Sequence, residues 1–246
     1  MKRQRADQAL VERGLADSRT RAQALILAGK VFSGDHRVAK AGDPIAAETP
    51  LVVRGQDHPW VSRGGVKLDH ALNAFALSPA GLVCLDLGAS TGGFTDVLLA
   101  RGAARVHAVD VGQGQLAWRL RTDPRVVVHE KTNGRSLTSA IIPDPVQALV
   151  CDASFIGLAT ILPAPLALCA PGAWAVALIK PQFEAGRSAV GSKGVVRDPA
   201  VHALVCDKVR IWWSGIPDWH VLGIEPSPIA GAEGNREFLM AALKKA

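Results

Sequence analysis

The chain has 246 residues, which is enough for one large domain or two smaller ones. Hydrophobic residues make up 48% of it and charged residues 20%, as is typical of a soluble globular protein with a buried core. The net charge of +6 suits a polyanionic partner without identifying one. No apolar stretch follows the basic N-terminus, so we expect no signal peptide and a cytoplasmic location.

The sequence predicts neither a metal site nor a membrane span. The four cysteines lack C-x-x-C spacing, and no Cys/His cluster has the spacing of a zinc site. Residues 153–179 carry no charge and are long enough to cross a bilayer. Prolines and glycines interrupt this stretch, however, and they predict a helix, a Pro171-Gly172 turn and a buried strand at Trp174–Ile179.

The first part of the chain is richer in charge than the rest. Residues 1–58 contain ten Lys and Arg against seven Asp and Glu. The stretch Gln56-Asp57-His58-Pro59 is typical of a linker, and Pro59 disfavours a helix at His58. We therefore predict an N-terminal domain over residues 1–57, a linker over 58–62 and a second domain over 63–246.

A small α+β module is predicted for the N-terminal domain. The helices Ala6–Arg13 and Arg19–Ala28 are each followed by a glycine, which readily adopts the left-handed conformation that closes a helix. Asp17 or Ser18 can cap the second helix. Short extended segments follow, and the last of them is a strand at Leu51–Val53.

A spaced pattern of residues in this module carries more specific information. It reads Arg5-Ala-Asp7…Leu10…Gly14…Ser18-Arg19…Ala22…Ile26…Gly29-Lys30-Val31…Val38…Lys40…Gly42-Asp43. The pattern resembles the S-four RNA-binding domain, which recurs in RNA-modifying enzymes, over about residues 3–55. That resemblance implies that the arginine-bearing helical face lies on an RNA backbone. The expected RNA-binding residues are Arg3, Arg5, Arg13, Arg19, Arg21, Lys30 and Lys40.

The rest of the chain alternates apolar runs with helical stretches, which predicts an α/β fold. The runs are largely apolar, as in a parallel sheet that helices cover on both faces. We predict a doubly wound, mostly parallel sheet of the Rossmann-like type. The predicted strands are Leu82–Leu87, Val106–Val109, Val126–His129, Gln147–Cys151, Trp174–Ile179 and His220–Ile224.

A glycine-rich turn follows the first strand of this sheet. It runs from Asp86 through Gly88 to Gly93, and its glycines let the backbone turn sharply and approach a ligand where the next helix begins. Asp110 ends the second strand 22 residues after Gly88. An acidic residue there can accept hydrogen bonds from both ribose hydroxyls of an adenosine. Together the turn and Asp110 predict a nucleoside cofactor.

The spacing of the glycines favours S-adenosylmethionine, and hence a methyltransferase, over a dinucleotide-dependent oxidoreductase. Dinucleotide enzymes expect G-x-G-x-x-G, whose second glycine clears space for a pyrophosphate. Here the turn reads G-x-x-x-G-G, with Ser90 at that position. S-adenosylmethionine has no pyrophosphate, and Asp86 can orient its methionine tail directly or through water. The expected cofactor-binding residues are Asp86, Gly88, Ala89, Ser90, Thr91, Gly92, Gly93, Asp110, Val111 and Asp152.

Two charged residues, Asp152 and Lys180, end central strands at the edge of the sheet where ligands bind. The residues around them form part of several longer sequence motifs. These are Val61-Ser-Arg-Gly-Gly-Val-Lys67-Leu, Asp86–Asp96, Val109-Asp110-Val-Gly, Cys151-Asp152-Ala-Ser-Phe, Lys180-Pro-Gln-Phe-Glu, Gly194-Val-Val-Arg-Asp198 and Gly234-Asn-Arg-Glu237-Phe. They resemble the TlyA branch of the FtsJ-like RNA methyltransferases, often labelled hemolysin A. With the N-terminal domain, the resemblance covers nearly the whole chain.

That resemblance implies methylation of a ribose 2′-hydroxyl in ribosomal RNA, on cytidine, by a Lys-Asp-Lys-Glu tetrad. The tetrad would fall on Lys67, Asp152, Lys180 and Glu237, and Glu233 is a rival for the last place. A neutral Lys180 could remove the hydroxyl proton as a general base. A charged Lys180 would instead orient the hydroxyl and stabilise the developing alkoxide. The sequence leaves both roles open.

Two other functions compete with this one. The first is a non-catalytic RNA-binding or ribosome-assembly protein, against which the intact glycine turn and tetrad argue. The second is a membrane-lytic hemolysin, against which the predicted absence of a span, a signal peptide and an amphipathic cationic helix argues. We expect a monomer that acts on ribosomal RNA or ribosomal subunits, and the sequence does not say whether one subunit or both are substrates.

Overall fold

The structure is a computed structural model that describes residues 3–16, 18–46, 49–54, 58–186, 189–191, 194–231 and 234–246, with the backbone alone for Arg3. We call residues 3–54 the N-terminal region and residues 58–246 the sheet region. A two-stranded sheet and a three-stranded sheet accompany two helices in the N-terminal region. Its elements are β1 (Arg3–Arg5), α1 (Ala6–Glu12), α2 (Arg19–Leu27), β2 (Val31–Ser33), β3 (His36–Arg37), β4 (Pro44–Ala46) and β5 (Leu51–Val53).

The ends of the two N-terminal helices confirm the sequence prediction. Gly14 and Gly29 adopt left-handed backbone conformations with φ of +67° and +69°. Ser18 caps α2 by accepting a hydrogen bond of 3.2 Å from the Arg21 backbone N–H. Asp17, the other candidate cap, lies outside the described residues. The faces of α1 and α2 that meet are apolar, so the two helices share a small core with β2, β4 and β5.

One seven-stranded sheet with flanking helices forms the sheet region. The helices are α3 (Gly64–Ala74), α4 (Gly93–Ala100), α5 (Trp118–Arg121), α6 (Leu158–Ile161), α7 (Pro163–Ala167), α8 (Pro181–Glu184) and α9 (Pro199–Ser214), with a 3-10 turn at Gly134–Ser136. The strands are β6 (Val83–Leu87), β7 (Arg105–Val109), β8 (Val126–His129), β9 (Val146–Cys151), β10 (Cys169–Ile179), β11 (Trp219–Pro226) and β12 (Phe238–Lys244).

The strand order β11-β12-β10-β9-β6-β7-β8 confirms the predicted doubly wound, mostly parallel sheet. The pairs β10-β9, β9-β6, β6-β7 and β7-β8 are parallel, while β12 runs antiparallel to both of its neighbours. The sequence did not predict β12, because its leucines, methionine and alanines favour helices more than strands. Pairing with β10 and β11 overrides that preference.

The uncharged stretch 153–179 folds into the core of the sheet region. It forms α6, α7 and β10. The residues of β10 from Ala173 to Ile179 are buried. The predicted Pro171-Gly172 turn does not precede the strand. Strand β10 instead starts at Cys169, and the pairing register with β9 shifts between Cys169 and Trp174. No helix in the described part of the chain is both long enough and apolar enough to span a bilayer.

Two buried clusters cover the two faces of the sheet, which explains why its strands are apolar on both sides. Leu85 and Leu87 face one cluster, and Cys84 faces the other. Strands β6, β7, β9 and β10 run parallel, so their carboxyl ends lie at one edge of the sheet. The residues that follow these strands therefore meet at that edge.

Candidate active site

The glycine-rich turn that leaves β6 is packed tightly against the end of β9. Gly88 has φ of +82°, and a Cβ there would lie 3.0 Å from the Asp152 carbonyl oxygen. Gly92 has φ of +97° and precedes α4, where a Cβ would collide with Leu120. Glycine is therefore required at both positions, by backbone conformation and by space.

Asp110 is held rigidly beside this turn. One of its carboxylate oxygens accepts from the Ser90 backbone N–H at 2.8 Å and the other from the Gly112 backbone N–H at 2.7 Å. Each carboxylate oxygen has a second lone pair, so Asp110 can still accept from two ligand hydroxyls. This is the arrangement that a ribose requires.

A cavity of about 410 Å³ opens beside Asp110 and can hold a nucleoside cofactor. Five of the predicted cofactor-binding residues line it: Gly88, Ser90, Asp110, Val111 and Asp152. Ala89, Thr91 and Gly93 line an adjoining cavity of about 300 Å³. We call these the cofactor cavity and the catalytic cavity.

Asp86, by contrast, does not reach the surface of either cavity. It is wholly buried, and one carboxylate oxygen accepts from the Thr95 hydroxyl at 2.6 Å. The other oxygen, Oδ1, has no hydrogen-bond partner among the described residues. Burial raises the pKa of Asp86 to about 7, and the hydrogen bond from Thr95 opposes that rise. The predicted contact with a methionine tail would therefore need a bridging water or a shift of the turn.

The four predicted catalytic residues form two lysine–carboxylate pairs. Lys67 on α3 lies 2.6 Å from Glu237, which directly precedes β12. Both side chains are buried, and a Cβ on Gly231 would collide with the Glu237 carboxylate. This pair connects α3 to the start of the antiparallel strand β12. Glu233 lies outside the described residues.

The second pair joins the ends of two neighbouring strands. Lys180 Nζ lies 2.6 Å from Asp152 Oδ1, in an ion pair that is not aligned as a hydrogen bond. The same ammonium donates to the Ser154 hydroxyl at 2.8 Å and approaches the Asp152 carbonyl oxygen at 3.4 Å. Three oxygen atoms therefore surround Lys180 Nζ, and its side chain is only 9% exposed.

Lys67, Asp152 and Lys180 all line the catalytic cavity, and Glu237 reaches it through Lys67. Such a cavity, with ammonium and carboxylate groups at its base, can bind a hydroxyl group, move its proton and stabilise an oxyanion. Within the described residues, no three His, Cys, Asp or Glu side chains converge as they would around a metal ion.

Several cavity residues were not predicted from the sequence. Ser62, Arg63 and Ser154 line the catalytic cavity, while Thr132–Arg135 and Phe155 line the cofactor cavity. Most of them follow β8 or β9 at the carboxyl edge of the sheet. The rule that selected Asp152 and Lys180 would have found the residues after β8 and β9 if it had been applied to whole loops instead of to the first charged residue, but it could not have found Ser62 and Arg63, which precede α3.

The described side chains of the predicted RNA-binding residues fall into three groups. Arg5 and Arg19 pair with the buried Asp7 at 3.0 and 3.2 Å but remain about half exposed. Arg13 is half-buried and donates to the carbonyl oxygens of Ala46, at 3.0 Å, and Thr49, so it holds the region together. The remaining described members, Arg21, Lys30 and Lys40, are exposed, and the side chain of Arg3 lies outside the described residues.

Family models match both parts of the chain. The FtsJ-like methyltransferase model matches residues 60–244, and the S4 domain model matches residues 4–49. The first of these spans all strands of the large sheet and all four predicted catalytic residues.

Full-length relatives match as well. The chain is 50% identical over 242 residues to the 16S/23S rRNA (cytidine-2′-O)-methyltransferase TlyA of Mycobacterium tuberculosis, covering 97% of this chain and 89% of that protein. It is 38% identical over 238 residues to Hemolysin A of Brachyspira hyodysenteriae, covering 96% and 98%. The solved structure of a candidate hemolysin from Streptococcus thermophilus is 40% identical, with a TM-score of 0.75 over 100% of this chain and 90% of that one.

Proposed function

Because the chain belongs to the TlyA family of FtsJ-like methyltransferases, which carry an N-terminal S4 domain, we propose that it methylates the ribose 2′-hydroxyl of cytidine in ribosomal RNA. The observation that carries this proposal is the meeting of the two cavities. Gly88, Ser90, Asp152 and Ser154 line both of them. A donor in one cavity and a hydroxyl in the other would meet beside Lys180.

The cofactor we propose is S-adenosylmethionine, which supplies an electrophilic methyl group when it is bound. Asp110 accepts from its ribose hydroxyls, and Gly88 lets the turn lie close enough to the ligand. Ser90, Val111 and Asp152 complete the wall of the cofactor cavity. Asp86 lies buried behind the turn and is held by the Thr95 hydroxyl.

We assign Lys180 the role of a charged donor. Its contacts are those of an ammonium, which donates hydrogen bonds and accepts none. In the reaction the hydroxyl O–H bond breaks and an O–C bond forms as the methyl group leaves sulfur. Asp152, which lines the catalytic cavity, accepts the proton on its carboxylate. Lys180 stabilises the negative charge that develops on the ribose oxygen.

The Lys67–Glu237 pair has a supporting role in this scheme. It ties α3 to the start of β12 and so fixes the wall of the catalytic cavity that faces Asp152. The exposed cations of the N-terminal region bind the RNA backbone and bring the target ribose to that cavity. Since the proposed substrate is a ribosomal subunit, we expect the reaction to occur in the cytoplasm.

Transfer of tritium from methyl-labelled S-adenosylmethionine to isolated ribosomal subunits tests the proposal. We expect incorporation into RNA that survives alkaline hydrolysis as a dinucleotide, because a 2′-O-methyl group protects the adjoining phosphodiester. Small and large subunits are assayed separately to identify the substrate. An absence of transfer to either subunit would favour a non-catalytic RNA-binding protein, and leakage of dye from liposomes would favour a lytic one.

A further inference from the structure

A serine that lies two residues after the proposed proton acceptor occupies the boundary between the two cavities. Ser154 is exposed and lines both the cofactor cavity and the catalytic cavity. Its hydroxyl accepts a hydrogen bond of 2.8 Å from Lys180 Nζ. No other serine, threonine, asparagine or glutamine side chain among the described residues has a hydrogen bond to that ammonium.

Among the three oxygens around Lys180 Nζ, the Ser154 hydroxyl makes the shorter of the two hydrogen bonds. Asp152 Oδ1 is closer, at 2.6 Å, but it is poorly aligned for a hydrogen bond. The Asp152 carbonyl oxygen lies at 3.4 Å, near the limit for a hydrogen bond. The Ser154 hydroxyl therefore helps to orient the ammonium beside the Asp152 carboxylate.

The loop that carries Ser154 is itself held in place by α8. Phe155 has a left-handed backbone with φ of +65°, and its ring packs 5.1 Å from the ring of Phe183 on α8. Glu184, also on α8, accepts a hydrogen bond of 2.7 Å from the Leu158 backbone N–H. Since α8 directly follows Lys180, one short helix fixes both the lysine and the loop that the lysine contacts.

We propose that Ser154 is a positioning residue, which aims the Lys180 ammonium at the ribose oxygen along the boundary between the cavities. Ser154 acts through Lys180 and makes no covalent bond. Its hydroxyl accepts from Lys180 and keeps its own proton. This inference rests on the proposed methyl transfer, since it has no meaning without a hydroxyl to be activated.

An incidental contact of an exposed serine is the alternative. If the contact is incidental, replacing Ser154 with alanine should change the activity little, because truncation of a solvent-facing side chain usually has a small effect. A positioning serine would not, since losing a hydrogen bond to a charged group should lower the rate about tenfold to hundredfold. The two possibilities therefore differ in a measurable quantity.

The test compares Ser154→Ala, Ser154→Cys and Ser154→Thr by methyl transfer to the subunit that the wild-type protein modifies. We expect kcat to fall about tenfold to hundredfold in the alanine and cysteine variants, because a thiol is a weak hydrogen-bond partner. Threonine keeps the hydroxyl and should restore kcat to within about threefold of wild type. The KM for subunits and the affinity for S-adenosylmethionine, measured by calorimetry, should stay within about twofold in all three variants.

Ser139→Ala is the matched control, since Ser139 is exposed and lines neither cavity. A Ser154→Ala variant with wild-type kcat would overturn the inference. So would a fall in kcat that threonine does not restore, or one explained by weaker S-adenosylmethionine binding, because Ser154 would then act on the cofactor. If the wild-type protein transfers no methyl group to either subunit, the proposed function itself fails, and that outcome is distinct from the others.

Discussion

The N-terminal region and the sheet region use charge in opposite ways. In the first, cations are exposed or half-exposed, and Asp7 is buried among Arg5 and Arg19. In the second, Lys67 and Lys180 are buried and each faces a single carboxylate. Exposed charges act at long range, are screened by salt and favour RNA binding. Buried charges are weakly screened and act on the chemistry at short range.

The pKa values of the buried aspartates Asp7 and Asp86 differ between the two regions in the same way. The Arg5 guanidinium holds the pKa of Asp7 well below its usual range, despite the opposing effect of burial. Burial dominates at Asp86 and raises its pKa to about 7. The N-terminal region has therefore balanced its buried charge with cations, whereas the sheet region keeps an unbalanced carboxyl behind the cofactor turn. Substitutions in each region can test this division of roles.

The largest effect is expected from Lys180→Ala. Loss of the ammonium that stabilises the developing oxyanion should lower kcat by about 10³-fold or more. Affinity for S-adenosylmethionine and for subunits should change less than about threefold, because the N-terminal region and Asp110 are untouched. Methyl-transfer kinetics and calorimetry check both statements. Lys245→Ala, at an exposed lysine near the C-terminus, is the control, and near wild-type turnover in Lys180→Ala would remove the lysine from the mechanism.

A pH-dependent effect on stability is expected from Asp86→Asn. The pKa of Asp86 rises from 3.8 to about 7 on folding, so the folded state binds its proton more tightly than the unfolded chain. Ionisation therefore lowers the free energy of unfolding as the pH rises from about 4 to about 7. The neutral variant should be more stable than wild type near pH 8, by at most about 4 kcal/mol, and nearly equal near pH 4.

Urea unfolding of the protein without cofactor measures this difference. Asp7→Asn is the matched variant in the N-terminal region. It should be less stable than wild type at neutral pH, which is the opposite of the effect expected for Asp86→Asn. Because the pKa of Asp7 is lowered on folding, its charge stabilises the protein at neutral pH, and that contribution is lost in acid. A less stable Asp86→Asn protein near pH 8 would contradict the contrast between the two carboxyls.

A smaller effect, on cofactor affinity, is expected from Asp110→Ala. The change removes the proposed acceptor for two ribose hydroxyls and also frees the Ser90 and Gly112 backbone N–H groups. The dissociation constant for S-adenosylmethionine should rise about tenfold to hundredfold. Calorimetry gives the constant directly, with Asp207→Ala as a control at an exposed aspartate on α9. Unchanged affinity would show that Asp110 does not contact the cofactor.

The smallest effect is expected from Arg21→Ala in the N-terminal region. One lost phosphate contact should raise the KM for subunits several-fold and reduce the slope of log KM against log salt by about one. The value of kcat at saturating subunits should not change. Arg210→Ala, at a half-exposed arginine on α9, controls for net charge. A salt slope equal to that of wild type would exclude Arg21 from the RNA contact.

The sequence predicted the local features of both regions well. The glycine turn, the cap of α2 and the alternation of strands and helices depend on neighbouring residues, and the structure confirms them. Strand β12 was missed, because its pairing partners are distant in sequence and its composition favours a helix. The internal role of Arg13 was missed as well, since its partners Ala46 and Thr49 lie more than 30 residues away.

The candidate site shows the same limit. Residue type and position at a strand end predicted that Asp152 and Lys180 would lie together at the carboxyl edge of the sheet, and the structure places them 2.6 Å apart in the catalytic cavity. The burial of Asp86 behind the turn and the position of Ser154 between the cavities depend on how β6, β9 and β10 pack together. Spacing along the chain carries no information about such contacts, so only the folded protein reveals them.

The most direct test of the central claim is mass spectrometry of nucleosides from ribosomal RNA treated with the protein and S-adenosylmethionine. We expect 2′-O-methylcytidine to appear, and to be missing from RNA treated with Lys180→Ala. A methyl group found on a base, or on the ribose of a nucleotide other than cytidine, would contradict the proposed acceptor. RNA without any added methyl group would contradict the proposed enzyme.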